Sequence, residues 1–173
     1  MGIQAYKATS ITCQFPLNMK SIFFMLAGLL FALPGKTQVA QTANLTLEGA
    51  QQVIDAAIAY AKANQSPGGS IAVVDAGGHL LMFERLDGSF PASATVAIEK
   101  ARTAALFRFE SKKLEDAING GRNALITVGY TFLQGGVPVL YKGQVVGAIG
   151  VSGAKSADQD REIATAGAEV ILK

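Results

Sequence analysis

Residues 135–154 read GGVPVLYKGQVVGAIGVSGA, and this stretch decides the fold. Two runs rich in residues that favour strands, Val137–Tyr141 and Gln144–Val151, lie on either side of the dipeptide Lys142-Gly143. A two-residue connection that ends in glycine is typical of a tight β-hairpin, whose strands pair antiparallel. The stretch therefore predicts one antiparallel pair of a β-sheet.

A second hairpin is predicted closer to the N-terminus. Ser70–Asp75 and His79–Leu86 are again rich in strand-favouring residues, and Ala76-Gly77-Gly78 separates them. His79 is the only histidine of the chain, and its place beside a Gly-Gly turn predicts an exposed turn residue instead of a metal or haem ligand.

Helices are predicted around and between the two hairpins. Capping residues, prolines and glycines place them at about Thr46–Asn64, Pro91–Phe109, Lys112–Asn119 and from Ser156 onward. Residues 123–134 show no clear period and leave room for one further strand. This order favours a single α+β domain over residues 45–173, in which helices pack on an antiparallel sheet.

Residues 1–44 have the composition of a leader and a linker. Lys20 precedes Ser21–Pro34, which is uncharged and mainly apolar, as in the first two regions of a secretory signal. We therefore predict a signal segment over residues 20–34 and a periplasmic or secreted protein.

The cleavage site of this leader is weak. A cut after Ala40 or after Ala43 would place a glutamine where a small residue is preferred. An uncleaved anchor and a translation start at Met19 are therefore alternatives, and the leader is the only predicted contact with a membrane.

Composition and charge exclude several kinds of function. One Cys and one His among 173 residues rule out a disulfide scaffold and a His/Cys zinc cluster, and no metal site is predicted. The formal net charge is +2, but residues 1–40 hold three basic residues and no acidic one. Residues 41–173 therefore hold 12 basic and 13 acidic residues, a net charge of −1, which does not suit nucleic acid as a partner.

The second predicted helix is apolar on two sides. Val96, Lys100, Thr103 and Phe107 form one stripe at helical spacing, and Ile98, Ala101, Ala105 and Phe109 cover the opposite side. Such a helix is usually buried against its own sheet and against a second partner, for which another subunit is a candidate. Lys100 and Thr103 then need polar partners or a ligand, because an unpaired buried cation is unfavourable. The alternative is that Lys100 reaches water along its stem and that Thr103 bonds back to the helix.

Arg85 and Asp87 flank the end of the first hairpin. On one face of the sheet they could present a charged fork to an anion, and the alternative is an ordinary surface ion pair.

The glycines of the second hairpin are not a nucleotide-binding motif. Gly143, Gly147, Gly150 and Gly153 lack the G-x-G-x-x-G spacing, and no Lys-Ser/Thr pair follows them. Glycine within a strand indicates close approach by another backbone, a helix or a flat ligand, so Gly147 and Gly150 predict such a contact.

Several segments together resemble the GlcG/HbpS family of small haem-binding or haem-degrading proteins. They are VVDAGGHLLMFERLDG at 73–88, EKARTAALF at 99–107, GGVPVLYKGQVVGAIGVSGA at 135–154 and DQD at 158–160. The resemblance covers about residues 45–172, and the same segments resemble the C-terminal domain of PduO-type cobalamin adenosyltransferases.

The resemblance implies an antiparallel sheet of about five strands flanked by helices, a homo-oligomer, and a tetrapyrrole ligand, most often haem. The residues at the family's motif positions, together with Phe107 of the same helix stripe, are the candidate ligand-binding residues: Arg85, Asp87, Lys100, Thr103, Phe107, Gly135, Gly136, Gly147 and Gly150. In haem-binding members a threonine of the second helix is implicated, which corresponds to Thr103. Some relatives use a histidine near the first helix, and this chain has none there.

Three functions are therefore expected, in this order. The first is an exported oligomeric protein that binds haem or a related tetrapyrrole, with a possible role in haem degradation. The second is an enzyme for a small organic acid or related metabolite, with Arg85, Asp87 and Lys100 in its site. The third is a structural or regulatory module whose partner is another protein.

Overall fold

The computed structural model describes residues 38, 42–170 and 172 of the chain. The predicted signal segment lies outside these residues. Among the helices of the described part, none is long and apolar enough to cross a membrane.

Both hairpins and all four helices are confirmed. In chain order the elements are α1 (Leu47–Ala63), β1 (Gly69–Asp75), β2 (Leu80–Leu86), α2 (Ser93–Phe107), α3 (Lys112–Asn119), a 3-10 helix (Asn123–Val128), β3 (Gly136–Tyr141), β4 (Gln144–Ser152) and α4 (Ala157–Ala168). The turn between β3 and β4 has positive φ angles at both Lys142 (49°) and Gly143 (77°), as a type I′ hairpin turn requires.

The four strands form one antiparallel sheet in the order β2-β1-β4-β3. The expected count of about five strands is therefore one too high for the described residues. The segment 123–134, which had left room for the fifth strand, folds as the 3-10 helix and an irregular stretch. Its apolar side chains Leu125 and Phe132 are buried against α2 and α3 instead of entering the sheet, which explains the missing two-residue period.

Large side chains cover one face of the sheet. Ile71 and Val73 of β1 and Ile149 and Val151 of β4 pack there against α1 and α4. Thr46 begins α1 by accepting a hydrogen bond from the Gly49 N–H at 3.1 Å, as predicted. This layer is the main hydrophobic core.

Small side chains cover the opposite face, where α2 lies. Ala72 and Ala148 of the sheet meet Ala97, Ala101 and Ala104 of the helix, all fully buried. Apart from Val74, the described side chains buried in this layer are alanines, so the helix backbone lies close to the strands.

Two glycines allow this close approach. A Cβ atom at Gly150 would overlap the carbonyl oxygen of Ala97, and one at Gly136 would overlap that of Lys100. The close approach predicted at Gly150 is thus made by a helix. The corresponding approach at Gly147 is made by Val74 of the neighbouring strand and by Leu45, whose N–H donates to the Val146 carbonyl at 2.8 Å.

Gly150→Ala is expected to destabilise the protein by about 1–3 kcal/mol or more, because the added methyl meets backbone atoms that cannot rotate away. Urea unfolding followed by circular dichroism measures the change. Gly120→Ala is the matched control, because Gly120 has an ordinary φ of −76° at the end of α3 and its new Cβ would come no closer than 3.2 Å to a neighbour. Equal losses in the two variants would contradict the close packing of α2.

Candidate functional site

Lys100 forms a buried ion pair within the chain. Its ammonium lies 2.9 Å from Oδ2 of Asp160 and donates a second hydrogen bond, also of 2.9 Å, to the Val151 carbonyl. Lys100 is 3% exposed, so the alternative in which it reaches water is wrong. Asp160 stands in the first turn of α4, as predicted, but its carboxylate pairs with Lys100 and accepts from the Ala154 N–H.

Gly135 has no side chain, and this ion pair occupies the space where one would lie. A Cβ atom there would lie 2.7 Å from the Val151 carbonyl oxygen and 3.0 Å from the Lys100 ammonium. Its φ of 118° also belongs to the region that favours glycine. Lys100, Gly135 and Gly136 thus meet in one structural contact, in which the Lys100 ammonium finds its partners within the chain. This contact joins α2, β3, β4 and α4.

Lys100→Met is expected to lower the free energy of unfolding by about 3–5 kcal/mol, because it leaves the Asp160 carboxylate buried without its cation. The double variant Lys100→Met, Asp160→Asn removes the stranded charge and keeps an acceptor for the Ala154 N–H, so it should recover part of the loss. Chemical denaturation of both variants is the measurement. A single variant as stable as the wild type would show that the pair does not hold the two helices.

Thr103 is also satisfied inside the chain. It is fully buried, and its hydroxyl donates to the carbonyl of Thr131 at 2.9 Å. The alternative in which it bonds back to its own helix is therefore wrong, because the acceptor lies 28 residues away. Its oxygen does not face an open cavity, so Thr103 positions the segment that follows the 3-10 helix.

Phe107 is the centre of an aromatic cluster. Its ring lies 5.4 Å from that of Tyr130 and 5.6 Å from that of Phe132, both edge to face, and 6.0 Å from that of Phe109. Such pairs are a favourable aromatic geometry. The cluster covers the C-terminal end of α2 with the segment 129–133.

Ser111 holds the same segment from its other side. It was predicted to cap α3, but it makes no capping hydrogen bond. Its hydroxyl donates to the Leu133 carbonyl at 2.6 Å and accepts from the Gly136 N–H at 2.9 Å. At Thr103 and Phe107, the side of α2 that does not face the sheet is thus covered by the segment 129–133 of the same chain.

Thr103→Val is expected to lower stability by about 1–3 kcal/mol, since the Thr131 carbonyl loses its donor at an almost isosteric site. Faster amide hydrogen exchange within residues 129–133 should accompany the loss. Thr103→Ser keeps the hydroxyl and should keep the slow exchange. Protection that is unchanged in the valine variant would show that the hydroxyl does not hold this segment.

Arg85 and Asp87 lie apart from these contacts, at the exposed end of β2. The Arg85 guanidinium donates to the carbonyl of Ser89 at 2.7 Å, which folds it back on its own turn. Within the described residues, no ion pair joins Arg85 to Asp87. They form neither the predicted surface pair nor a common site with Lys100.

A cavity of about 470 Å³ lies between the β1–β2 turn and the C-terminal half of α2, and we call it the α2 cavity. His79 and Arg102 supply its nitrogen donors, Leu106 and Val128 its apolar wall, and Tyr130 its aromatic ring. Leu106, Val128 and Tyr130 are all partly exposed, so their side chains are accessible to a ligand.

A larger cavity, of about 670 Å³, lies beside the start of α1, and we call it the α1 cavity. Leu45, Gly49, Tyr141 and Val146 contribute to its walls. Among the described residues that line it, Glu48 is the one that carries a charge.

Asp75 orients His79 at the rim of the α2 cavity. The Nδ1 atom of the imidazole lies 3.2 Å from both carboxylate oxygens. Oδ1 of Asp75 also accepts from the backbone N–H groups of Gly77 at 2.8 Å and His79 at 2.9 Å. Partial burial alone would raise the pKa of Asp75, but the hydrogen bonds from His79 and Gly77 outweigh it and lower this pKa below the ordinary value.

Arg102 is the cation of the α2 cavity. It donates to Oε1 of Glu99 at 2.8 Å and to the carbonyl of Gly78 at 3.3 Å. Its side chain is about two-fifths exposed, so the guanidinium remains accessible to a ligand.

None of the nine residues predicted for ligand binding is among the residues that line this cavity. The motif at 99–107 does contain Arg102 and Leu106, which line the cavity. The apolar periodicity of that helix, however, indicates its buried stripe and not the accessible side on which these two residues lie. His79 carried a signal as the only histidine, next to two glycines. The loop residues Val128 and Tyr130 carried none.

Comparison with known proteins gives a consistent result. The family model described as haem degrading protein HbpS-like matches residues 45–169. The Escherichia coli protein GlcG is 54% identical over 84 residues, which are 48% of this chain and 63% of GlcG, so the chain spans less than two thirds of that relative.

Two solved structures share the fold. A double mutant of Streptomyces reticuli HbpS has a TM-score of 0.71 and 37% identity, covering 82% of this chain and 96% of that one. A crystal structure of a PduOC:heme complex has a TM-score of 0.64 and 25% identity, covering 73% of this chain and 94% of that one.

Proposed function

This chain belongs to the HbpS-like family, and from that premise we propose that it is an exported, oligomeric protein that binds haem or a related tetrapyrrole. The family model is named for haem degradation, and one relative was crystallised as a heme complex. The observation in this chain that carries the proposal is the α2 cavity, which combines an imidazole, a guanidinium and an uncovered apolar wall.

The α2 cavity suits the chemistry of haem. Its volume falls in the range of roughly 300–1,000 Å³ that is usual for small-molecule sites. A tetrapyrrole has broad apolar faces and a carboxylate-bearing edge, so it needs apolar contact on one side and a cation on the other. Leu106, Val128 and Tyr130 would cover the ring, and Arg102 would receive a propionate.

The α1 cavity suits haem less well despite its larger volume. Among its described lining residues the charged group is the carboxylate of Glu48, which would repel propionates, and none of these residues carries an imidazole. We therefore place the ligand in the α2 cavity.

The protein's part in this function is to bind and orient the group. When bound, haem supplies an iron centre whose reactivity depends on its axial ligand and on the polarity around it. The ion pair of Arg102 with Glu99 holds the guanidinium at the cavity in the absence of ligand.

The geometry gives less support to the alternative of an organic-acid enzyme. It requires Arg85, Asp87 and Lys100 in one site, but Lys100 is buried in its pair with Asp160, and none of the three lines either cavity.

Exposed apolar side chains support the oligomeric part of the proposal. Ile126 is 66% exposed, and Phe90, Leu133 and Leu140 are each about half exposed. Sedimentation equilibrium of the purified protein tests this part, and a monomer at all concentrations would contradict it. N-terminal sequencing of the protein recovered from each cell fraction tests export.

Titration of the purified protein with hemin should produce a shifted and intensified Soret band with one saturable site. Arg102→Met should raise the dissociation constant about tenfold or more, because a hydrogen bond to a charged group is worth about 1.5–3 kcal/mol. Glu99→Gln should lower the dissociation constant, since the Arg102 guanidinium would no longer be paired with a carboxylate that competes with the propionate.

Arg122→Met is the matched control for this titration, because it removes the same charge from an exposed arginine outside the residues that line the cavity. A wild-type protein without a Soret shift would overturn the proposed function. Equal weakening by Arg102→Met and Arg122→Met would show that net charge, not the α2 cavity, governs binding.

A further inference from the structure

We propose that His79 is the axial ligand of the haem iron and that Asp75 is the positioning residue that holds its ring. This inference rests on the proposed function and makes it more specific. It departs from the threonine of the second helix that the family resemblance suggested, and from the sequence prediction that His79 is a turn residue and not a haem ligand.

His79 is placed to bind a metal through its outer nitrogen. Its side chain is 81% exposed at the rim of the α2 cavity. Nδ1 faces the Asp75 carboxylate at 3.2 Å, while Nε2 has no hydrogen-bond partner among the described residues. The ring is therefore anchored on one side and free on the other.

The contact with Asp75 selects the tautomer that can bind iron. A carboxylate accepts a hydrogen bond, so it favours the imidazole with its proton on Nδ1 and a lone pair on Nε2. Histidines that bind metals commonly donate their other N–H to a carboxylate in this way, which fixes the ring and raises its basicity.

The backbone of the β1–β2 turn makes the arrangement rigid. Asp75 accepts two backbone N–H groups from the turn, so its carboxylate is fixed before any ligand arrives. A Cβ atom at Gly77 would lie 2.9 Å from both Cε1 and Nδ1 of the ring, so the missing side chain leaves the space that the imidazole occupies. Gly78 has a φ of 80°, in the region that favours glycine, and a Cβ atom there would crowd the Arg102 side chain at 3.0 Å.

Other groups of the site are less suited to bind the iron. The Thr103 hydroxyl is fully buried and donates to Thr131, so it would have to leave both its pocket and its acceptor. The guanidinium of Arg102 has no lone pair to offer. Glu99 also lines the cavity, but its carboxylate accepts a hydrogen bond from Arg102 at 2.8 Å. The phenol of Tyr130 is a further ligating group that lines the cavity, and the experiment below tests it directly.

The test compares four full-length proteins during titration with hemin: the wild type, His79→Ala, Tyr130→Phe and Asp75→Asn. Optical and resonance Raman spectra are recorded in the ferric and ferrous states. The wild type should show histidine ligation. Tyr130→Phe tests the phenol as the competing ligand, and the proposal predicts that this variant keeps the histidine signature. His79→Ala should lose this signature and bind at least tenfold more weakly, and added imidazole should restore the histidine-type bands.

Asp75→Asn separates positioning from ligation. The variant should keep histidine ligation but show a lower iron–histidine stretching frequency in the ferrous state, because the ring loses its anionic acceptor. Circular dichroism and thermal unfolding of each variant without hemin show whether the turn still folds.

The outcomes distinguish this inference from the proposed function. A wild-type protein that does not bind hemin overturns the function itself. A wild-type protein that binds, with a His79→Ala variant of identical spectrum and affinity, overturns the inference and leaves the function standing. Loss of the axial signature in Tyr130→Phe assigns the ligand to the phenol and also overturns it.

Discussion

The direct contact of helix α2 with the backbone of β3 and β4 is the constraint on which the rest of the structure depends. Gly136 and Gly150 stand opposite each other on the two strands, and the carbonyl groups of Lys100 and Ala97 fill the space where their side chains would be. The helix can approach because the residues at this contact are mostly alanine and glycine. The position of α2 against the sheet then determines which of its side chains are buried and which line a cavity.

Because this side of α2 is buried, an unpaired lysine on it would be unfavourable. Lys100 is therefore met by Asp160 from the first turn of α4 and by the carbonyl of Val151. The pair ties α4 to α2, and Gly135 provides the room for it. The motif residues Lys100, Gly135 and Gly136 are thus explained by packing and charge compensation without any ligand.

In the same position of α2 against the sheet, the opposite side of the helix remains accessible. Arg102 and Leu106 emerge beside the turn that carries His79, while Thr103 and Ser111 hold the segment with Tyr130 across from them. A rigid sheet turn and an anchored loop thereby meet at one cavity. This is the arrangement in which a few polar groups can orient a flat, mostly apolar ligand.

Local pattern was sufficient to predict the two hairpins, the four helices and the α+β class, because turn residues and apolar periodicity act within a few positions along the chain. The family motifs likewise placed the chain in its family from its own residues. Only the tertiary structure paired Lys100 with Asp160, turned Thr103 and Ser111 toward loop carbonyls and folded residues 123–134 outside the sheet. It also gathered His79, Arg102 and Tyr130 at one cavity. These contacts join positions that are 22 to 60 residues apart, and no spacing along the chain encodes which buried polar group will meet which partner.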